Sequence, residues 1–192
     1  MDVAPASQTH GTVTSSPGAE YTSVAKWFHW LTVPALGIAL LSGMTIRFIV
    51  DDTKMAFYAL HESLGLLLLA LGVLRLGWRL RHPPPPLAAH LPRAIRLVAD
   101  GVHLALYTLL IVQPVLGFFT TNAYGFPQQG DTAFLGLIDL PAFMDARPDL
   151  ALQLHWGHSI LGWLLAVLIG VHVAGTVYHH AWQKDGTLLR ML

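Results

Sequence analysis

Four long apolar stretches, each bounded by polar or charged residues, dominate the pattern along the chain. They predict helices over about 24–50, 57–80, 95–121 and 152–180. Each helix reaches the roughly 20 residues needed to cross the hydrocarbon core of a bilayer. Backbone groups inside a membrane must be satisfied within their own segment, which favours helices. The pattern therefore predicts an all-α integral membrane protein, a four-helix bundle with both termini on one side.

The segments outside these helices differ from one another in composition. Residues 1–20 are rich in small residues and contain no Lys or Arg, so we expect a flexible tail ahead of a single transmembrane domain at 21–192. Four consecutive prolines at 83–86 predict a stiff connector between helices two and three. The connection at 122–151 has an apolar middle, 133–144, that is too short to span. We expect this middle part to lie as an interfacial cap over the outer mouth of the bundle.

The basic residues are distributed unequally between the two sides. With the N-terminus inside, eight Lys and Arg fall in inner segments and three in outer segments. The inner residues are Lys26, Arg75, Arg79, Arg81, Arg93, Arg96, Lys184 and Arg190, and the outer ones are Arg47, Lys54 and Arg147. Because cytoplasmic segments of membrane proteins carry the excess of Lys and Arg, both termini are expected in the cytoplasm.

Composition narrows the class of protein further. Of the 192 residues, 54% are hydrophobic and 11% are charged, where soluble domains carry roughly 25% charged residues. A soluble enzyme is therefore excluded. The 11 Lys and Arg are matched by 11 Asp and Glu, which excludes a nucleic-acid binder. The chain has 11 His and no Cys, so a redox or metal site here must use imidazole rather than thiolate.

Six of the histidines lie within or at the edges of the apolar stretches. They are His29, His61, His103, His155, His158 and His172. An ionisable side chain inside a membrane is a functional-site hypothesis by default. The alternative for any single one is a hydrogen bond between helices or a position facing interfacial water.

The spacing on helix four separates these histidines into two layers. His158 and His172 are 14 residues apart, which places them about 21 Å apart along the axis and within about 40° of one face. His61, near the outer start of helix two, matches the depth of His158. His29, near the inner start of helix one, matches His172, and His103 competes with it for that pairing.

Two stacked histidine pairs suit bis-imidazole ligation of two b-type haems. His61 and His158 each begin a His-x-x-Leu-Gly sequence that ends at Gly65 and Gly162, and a glycine there lets a porphyrin approach the backbone. The alternative is that both glycines serve helix packing. A zinc or copper site is the competing interpretation, but it needs three or four ligands at one depth.

Arginines at the helix ends are candidates for the anionic haem propionates. Arg47 ends helix one on the outer side, whereas Arg75 and Arg79 share a face at the inner end of helix two. The alternative is that they only set the topology and extend towards the lipid headgroups.

A polar segment follows helix four directly and contains His179, His180, Trp182 and Lys184. His179 keeps the helix face of His172, so it points towards the inner haem edge. An imidazole there suits hydrogen bonding and proton donation to a quinone. The alternative is an interfacial anchor.

Several motifs resemble the bacterial cytochrome b561 family over about residues 21–192. They are Lys26-Trp27-Phe28-His29-Trp30, Leu60-His61-Glu62-Ser63, Arg75-Leu76-Gly77-Trp78-Arg79, the pair His179-His180, and the ending Lys184-Asp185-Gly186-Thr187-Leu188-Leu189-Arg190-Met191. The resemblance implies two haems b in a bacterial inner-membrane oxidoreductase, with His29, His61, His158 and His172 as ligands.

The resemblance is strongest to the small stand-alone members of the family. It implies superoxide as the outer (periplasmic) electron donor, entering near Arg47, and ubiquinone as the inner acceptor near His179, without an obligate partner subunit. The acidic outer segments do not favour an anionic donor. The alternative function is a cytochrome b anchor that accepts electrons from a partner dehydrogenase. The third hypothesis is a metal transporter or a structural protein without haem.

Overall fold

The computed structural model describes residues 20–86, 91–129 and 133–192. Its four long helices are α1 (Ser23–Ile46), α2 (Thr53–Arg81), α3 (Arg93–Tyr124) and α4 (Pro148–Tyr178). All four are long and apolar enough to cross a membrane, so the predicted all-α membrane bundle is confirmed. The tail predicted at 1–20 lies outside the described residues, except for Glu20.

The helix ends follow from local chemistry. The Thr22 hydroxyl accepts a hydrogen bond from Ala25 N and caps α1, a role in which Thr is favoured. Gly125 ends α3 with φ 82°, a left-handed conformation that glycine adopts without strain. Pro148 opens α4, where its missing N–H costs no helical hydrogen bond. All four helices start before their predicted bounds, because polar residues extend them beyond the apolar stretches.

The helices pack in chain order, α1 with α2, α2 with α3, and α3 with α4. A small apolar core forms where α1, α2 and α3 meet, around Ala35, Ala39, Leu68 and Leu110. Most other large apolar side chains are exposed on the outer surface of the bundle. This is the distribution expected when lipid rather than water surrounds the helices.

The long connection between α3 and α4 folds back onto the bundle. Its centre is a hairpin of β1 (Ala133–Phe134) and β2 (Ile138–Asp139), joined through the left-handed residues Leu135 and Gly136. Leu135 N donates to the Ser63 hydroxyl of α2 at 2.9 Å. Leu137 and Ile138 remain more than half exposed. The hairpin therefore sits against the outer part of α2 and presents apolar side chains outwards.

Asn122 ties this connection to the end of α3. Its side chain is fully buried, accepts from Phe143 N at 2.9 Å and donates to Phe118 O at 3.2 Å. Arg147 N also donates to Ala123 O at 2.9 Å. These bonds close the connection into a loop whose two ends meet at the outer end of α3.

Replacing Asn122 with Ala should destabilise the protein by about 1–3 kcal/mol, because two hydrogen bonds and buried volume are lost together. Thermal unfolding of the detergent-solubilised protein measures the change as a lower midpoint. Gln129→Ala is the control, since among the described residues that exposed side chain bonds only Gly125 O, in its own turn. Equal midpoints for both variants would show that Asn122 does not hold the loop.

Candidate haem-binding site

The outer histidine pair bridges α2 and α4. The imidazoles of His61 and His158 face each other with ring centroids 5.9 Å apart and planes at 84°. Both rings are partly buried. The packing of α2 and α4 therefore brings together His61 and His158, which were predicted to pair because they lie at the same depth in the membrane.

Backbone carbonyls hold both rings in one tautomer. His61 Nδ1 lies 2.9 Å from Ala39 O, and His158 Nδ1 lies 3.2 Å from Gln113 O. A carbonyl oxygen only accepts, so each Nδ1 is the donor and each Nε2 keeps its lone pair. Metal-bound histidines are commonly oriented by such bonds from the other ring nitrogen.

The distance between the rings suits a metal ion between them. Bonds from a metal to imidazole nitrogen are about 2.0–2.1 Å long, so two rings on opposite sides of one ion have centroids about 6 Å apart. Apolar side chains from all four helices line the adjoining cavity, among them Leu36, Leu68, Leu109 and Leu165. Imidazole ligands in an apolar cavity fit a b-type haem.

Glycines of neighbouring helices make room for these two rings. A Cβ atom at Gly43 of α1 would lie 2.7 Å from His61 Cε1, and one at Gly117 of α3 would lie 2.9 Å from His158 Cε1. Both distances are closer than non-bonded carbon atoms tolerate. Sequence reasoning did not single out either glycine, because neither shares a motif with the histidine it faces.

The two glycines that the sequence did single out lie elsewhere in the site. Gly65 lines the cavity between the two outer histidines. At Gly162 a Cβ would lie 3.1 Å from Gln113 Nε2, which itself donates to His158 O at 2.7 Å. Gly162 thus makes room for the amide that contacts the His158 backbone.

Buried polar atoms surround the outer pair as well. Both carboxylate oxygens of Glu62 and the side-chain oxygen of Gln113 are buried, with no hydrogen-bond partner among the described residues. Sequence reasoning passed over Glu62, although it is an acidic residue inside an apolar stretch and that signal was available.

Three histidines gather at the inner level. The His172 ring of α4 has its centroid 6.3 Å from that of His29 on α1 and 5.2 Å from that of His103 on α3. His103 Nδ1 lies 2.8 Å from Ala99 O of its own helix. The structure therefore places both candidate partners beside His172, and the His29 distance is the one closer to that of the outer pair.

The predicted arginines have different surroundings. Arg75 donates to His29 Nδ1 at 3.2 Å and to the Tyr107 hydroxyl at 3.1 Å. Arg79 lies over the ring of Tyr107. Arg75 therefore contacts an inner histidine directly, whereas Arg79 contacts the tyrosine that Arg75 also bonds. Arg47 is exposed at the outer end of α1 and stacks on the Phe48 ring at 4.5 Å. It makes no polar contact with the outer histidine pair within the described chain.

The polar segment after α4 forms a π-helical turn, His179–Gln183. His179 Nδ1 lies 2.6 Å from Asp185 Oδ2. His180, Trp182 and Lys184 are exposed. The structure therefore separates His179 from the other three residues predicted to meet a quinone.

A zinc or copper centre finds no support in this arrangement. Over 20–86, 91–129 and 133–192, no three His, Cys, Asp or Glu side chains converge in a way that could hold a metal ion. His155 is exposed and lies beside the Tyr124 ring. The paired imidazoles instead fit a membrane protein that holds a flat metal-containing cofactor between its helices.

Comparison with known proteins agrees with that class. The family model described as Prokaryotic cytochrome b561 matches residues 20–192, and the chain belongs to this family. It is a transmembrane oxidoreductase that binds haem b, as its family implies.

Similar proteins cover nearly the whole chain. Cytochrome b561 homolog 2 of Escherichia coli (strain K12) is 35% identical over 178 residues, which are 90% of this chain and 90% of that protein. Probable superoxide oxidase CybB of Yersinia pestis is 30% identical over 173 residues, 90% of this chain and 96% of its own. Cytochrome b561 homolog 1 of Escherichia coli (strain K12) is 24% identical over 175 residues, with 90% and 96% covered.

The glycines beneath the outer rings provide a direct test of this site. If His61 and His158 bind a haem, Gly43→Ala and Gly117→Ala should each lose it, because the added methyl group displaces one imidazole. Absorption spectra and the haem content of the purified protein measure the loss. Gly37→Ala and Gly101→Ala are matched controls on α1 and α3, where a Cβ meets no atom within 4 Å. Full haem content in the first two variants would place the cofactor elsewhere.

Proposed function

We propose that this protein passes electrons from superoxide on the outer side of a bacterial inner membrane to ubiquinone on the inner side, through two haems b. The observation that carries the proposal is the pair of histidine sites along α4, one at His158 and one at His172. Resemblance to the Yersinia protein named a probable superoxide oxidase supports the choice of donor.

Four histidines are the proposed ligands. His61 and His158 hold the outer haem, and their Nδ1 bonds to Ala39 O and Gln113 O keep Nε2 free for the iron. His29 and His172 hold the inner haem, at nearly the same ring spacing as the outer pair. Iron binding at His29 Nε2 requires the proton on Nδ1, so the bond from Arg75 to that nitrogen would be replaced when the haem binds. When bound, the two haems supply the one-electron redox chemistry across the membrane.

The remaining site residues serve the two ends of this path. Arg75 and Arg79 lie beside the inner histidines, where their charge suits the haem propionates. Arg47 is the exposed basic side chain at the outer end of α1, and we place superoxide entry there. His179 meets the quinone, with His180, Trp182 and Lys184 on the exposed rim of that site.

The overall reaction balances with two protons as its only further reactant. Two superoxide ions each lose one electron and leave as dioxygen, while one ubiquinone gains two electrons and two protons and becomes the quinol. The protons come from the inner side, so the chain's own contribution there is a group that holds and transfers a proton. His179 is that group, because an imidazole can both accept and donate a proton.

The charge distribution supports an orientation with both termini in the cytoplasm. Eight of the 11 Lys and Arg lie in segments on that side, as expected for the cytoplasmic face. His61, His158 and the hairpin of β1 and β2 then lie towards the periplasm, where superoxide would arrive. His179 and the C-terminal segment lie at the cytoplasmic surface.

The purified protein alone should reduce a water-soluble ubiquinone with superoxide and should contain about two b haems per chain. A pyridine haemochrome assay gives the haem count, and quinone absorbance follows the reaction. Haem without turnover would replace this function with that of an anchor subunit fed by a partner dehydrogenase. Absence of haem would exclude both.

Alanine replacements distinguish the inner ligands. His29→Ala and His172→Ala should each remove about one of two haems or abolish its low-spin spectrum, because a side chain that would hold the haem is lost. His103→Ala is the matched control, since its ring also lies beside His172. If His103→Ala removed the inner haem while His29→Ala did not, the proposed inner pairing would be wrong.

A further inference from the structure

A histidine and a carboxylate meet at the inner end of α4. His179 Nδ1 and Asp185 Oδ2 are 2.6 Å apart, and the side chains are 13% and 3% exposed. Asp185 is the more buried of the two side chains, so the imidazole of His179 is the part of the pair that is more accessible from outside. Nothing in helix periodicity requires this contact, because Asp185 lies beyond the end of the helical segment.

An unusual backbone path brings Asp185 back onto His179. The chain leaves α4 through the π-helical turn at His179–Gln183, a geometry that is rare and frequent at functional sites. Lys184 then adopts φ 48° and Gly186 φ 73°. The left-handed conformation of Lys184 is uncommon for a residue with a side chain. The turn therefore keeps a strained position that places the carboxylate beside the imidazole.

The segment after Asp185 is fixed at several points. Met191 O accepts from Trp30 Nε1 at 2.8 Å, and Arg190 Nη1 donates to Pro86 O at 2.9 Å. Arg190 O also accepts from Tyr21 N at 3.3 Å. The turn that carries Asp185 is thus anchored to α1 and to the proline connector, which restricts its movement.

The two carboxylate oxygens of Asp185 have separate partners. Oδ1 accepts from Thr187 N at 3.0 Å, whereas Oδ2 faces His179 Nδ1. Burial alone would raise the pKa of this carboxyl, but the hydrogen bonds from Thr187 and His179 outweigh it and lower the pKa to about 2. At neutral pH Asp185 is therefore an anion that only accepts hydrogen bonds.

We propose that Asp185 is the positioning residue for proton transfer by His179, fixing the ring with Nδ1–H on the carboxylate and Nε2 towards the quinone. This inference rests on the proposed function. It adds to that function the reason why one of two adjacent histidines is the proton donor: His179 has a carboxylate partner, whereas His180 is exposed.

In each proton transfer, His179 gives one proton to the quinone and regains one from water. The Nε2–H bond of the protonated ring breaks as an O–H bond forms at a quinone oxygen, and the ring returns to the neutral Nδ1–H form held by Asp185. A proton from water at the inner surface restores Nε2–H. Two such transfers accompany the two electrons that two superoxide ions provide.

Asp185→Asn tests this role with little change of shape. The Asn Oδ1 still accepts from Thr187 N, but its NH2 group faces His179 Nδ1 and converts that nitrogen into an acceptor. Rotating the amide would set NH2 against the Thr187 N–H donor instead. The variant therefore retains the turn while favouring the wrong tautomer, with Nε2–H in the neutral ring.

The expected result for Asp185→Asn is slower quinone reduction, by about tenfold or more, since positioned acid–base groups contribute roughly 100-fold or more. The haem spectrum and haem content stay unchanged. The solvent deuterium isotope effect on turnover increases, because proton transfer becomes rate-limiting. In 15N-histidine NMR, the His179 signals, identified by their loss in His179→Gln, change from the Nδ1–H to the Nε2–H tautomer.

Two further variants complete the test. Asp185→Glu returns a carboxylate to Nδ1 and should recover part of the rate relative to Asp185→Asn. Asp51→Asn is the matched control: Asp51 Oδ1 accepts from Thr53 N at 3.0 Å in the same Asp-x-Thr turn, but Asp51 has no histidine partner among the described residues. It should change neither the isotope effect nor the His179 signals.

The outcomes separate this inference from the function on which it rests. Unchanged quinone reduction in His179→Gln overturns the quinone role of His179 and the inference with it. If His179→Gln is slow but Asp185→Asn reduces quinone at the normal rate, the inference alone is wrong. Equal rates and isotope effects for Asp185→Asn and Asp185→Glu also overturn it, because only one of them retains the carboxylate.

Discussion

The need to satisfy polar groups without water governs this bundle. In the membrane interior each hydroxyl and imidazole must find its partner on a helix. Thr32 and Thr176 donate to the carbonyl four residues earlier, while His61 and His158 use carbonyls of a neighbouring helix. The interhelical bonds occupy Nδ1 of each ring and leave Nε2 with its lone pair. The same bonds that satisfy the imidazoles inside the bundle therefore also leave each of them with a nitrogen that can bind a metal ion, which links the folding constraint to the chemistry of the site.

The architecture and the paired histidines could be predicted because both depend on position along a helix axis. Runs of more than 20 apolar residues indicate membrane helices wherever they occur. Depth follows from counting residues at about 1.5 Å each, so His61 could be matched with His158 before any packing was known. Depth does not determine rotation about the axis. For this reason His29 and His103 could not be separated from the sequence, and both rings lie beside His172.

The features that escaped prediction depend on contacts between distant parts of the chain. Gly43 and Gly117 lie against the imidazole rings of histidines on other helices, and no local sequence motif indicates such a contact. The hairpin at 133–139 turns through Leu135 in a left-handed conformation, where sequence rules favour glycine. Lys184 is a second case, and its conformation brings Asp185 onto His179. Both non-glycine residues hold their positions because tertiary contacts on either side stabilise them.

At each end of the bundle, a segment outside the four helices forms a hydrogen bond next to a histidine. At the outer face the hairpin bonds to Ser63, two residues after the ligand candidate His61. At the inner face the C-terminal segment bonds to Trp30, next to His29. Each of these two segments is therefore attached within two residues of a histidine of its own layer. The helices fix the distance between the two layers, whereas each attached segment holds the part of a helix that lies next to one layer.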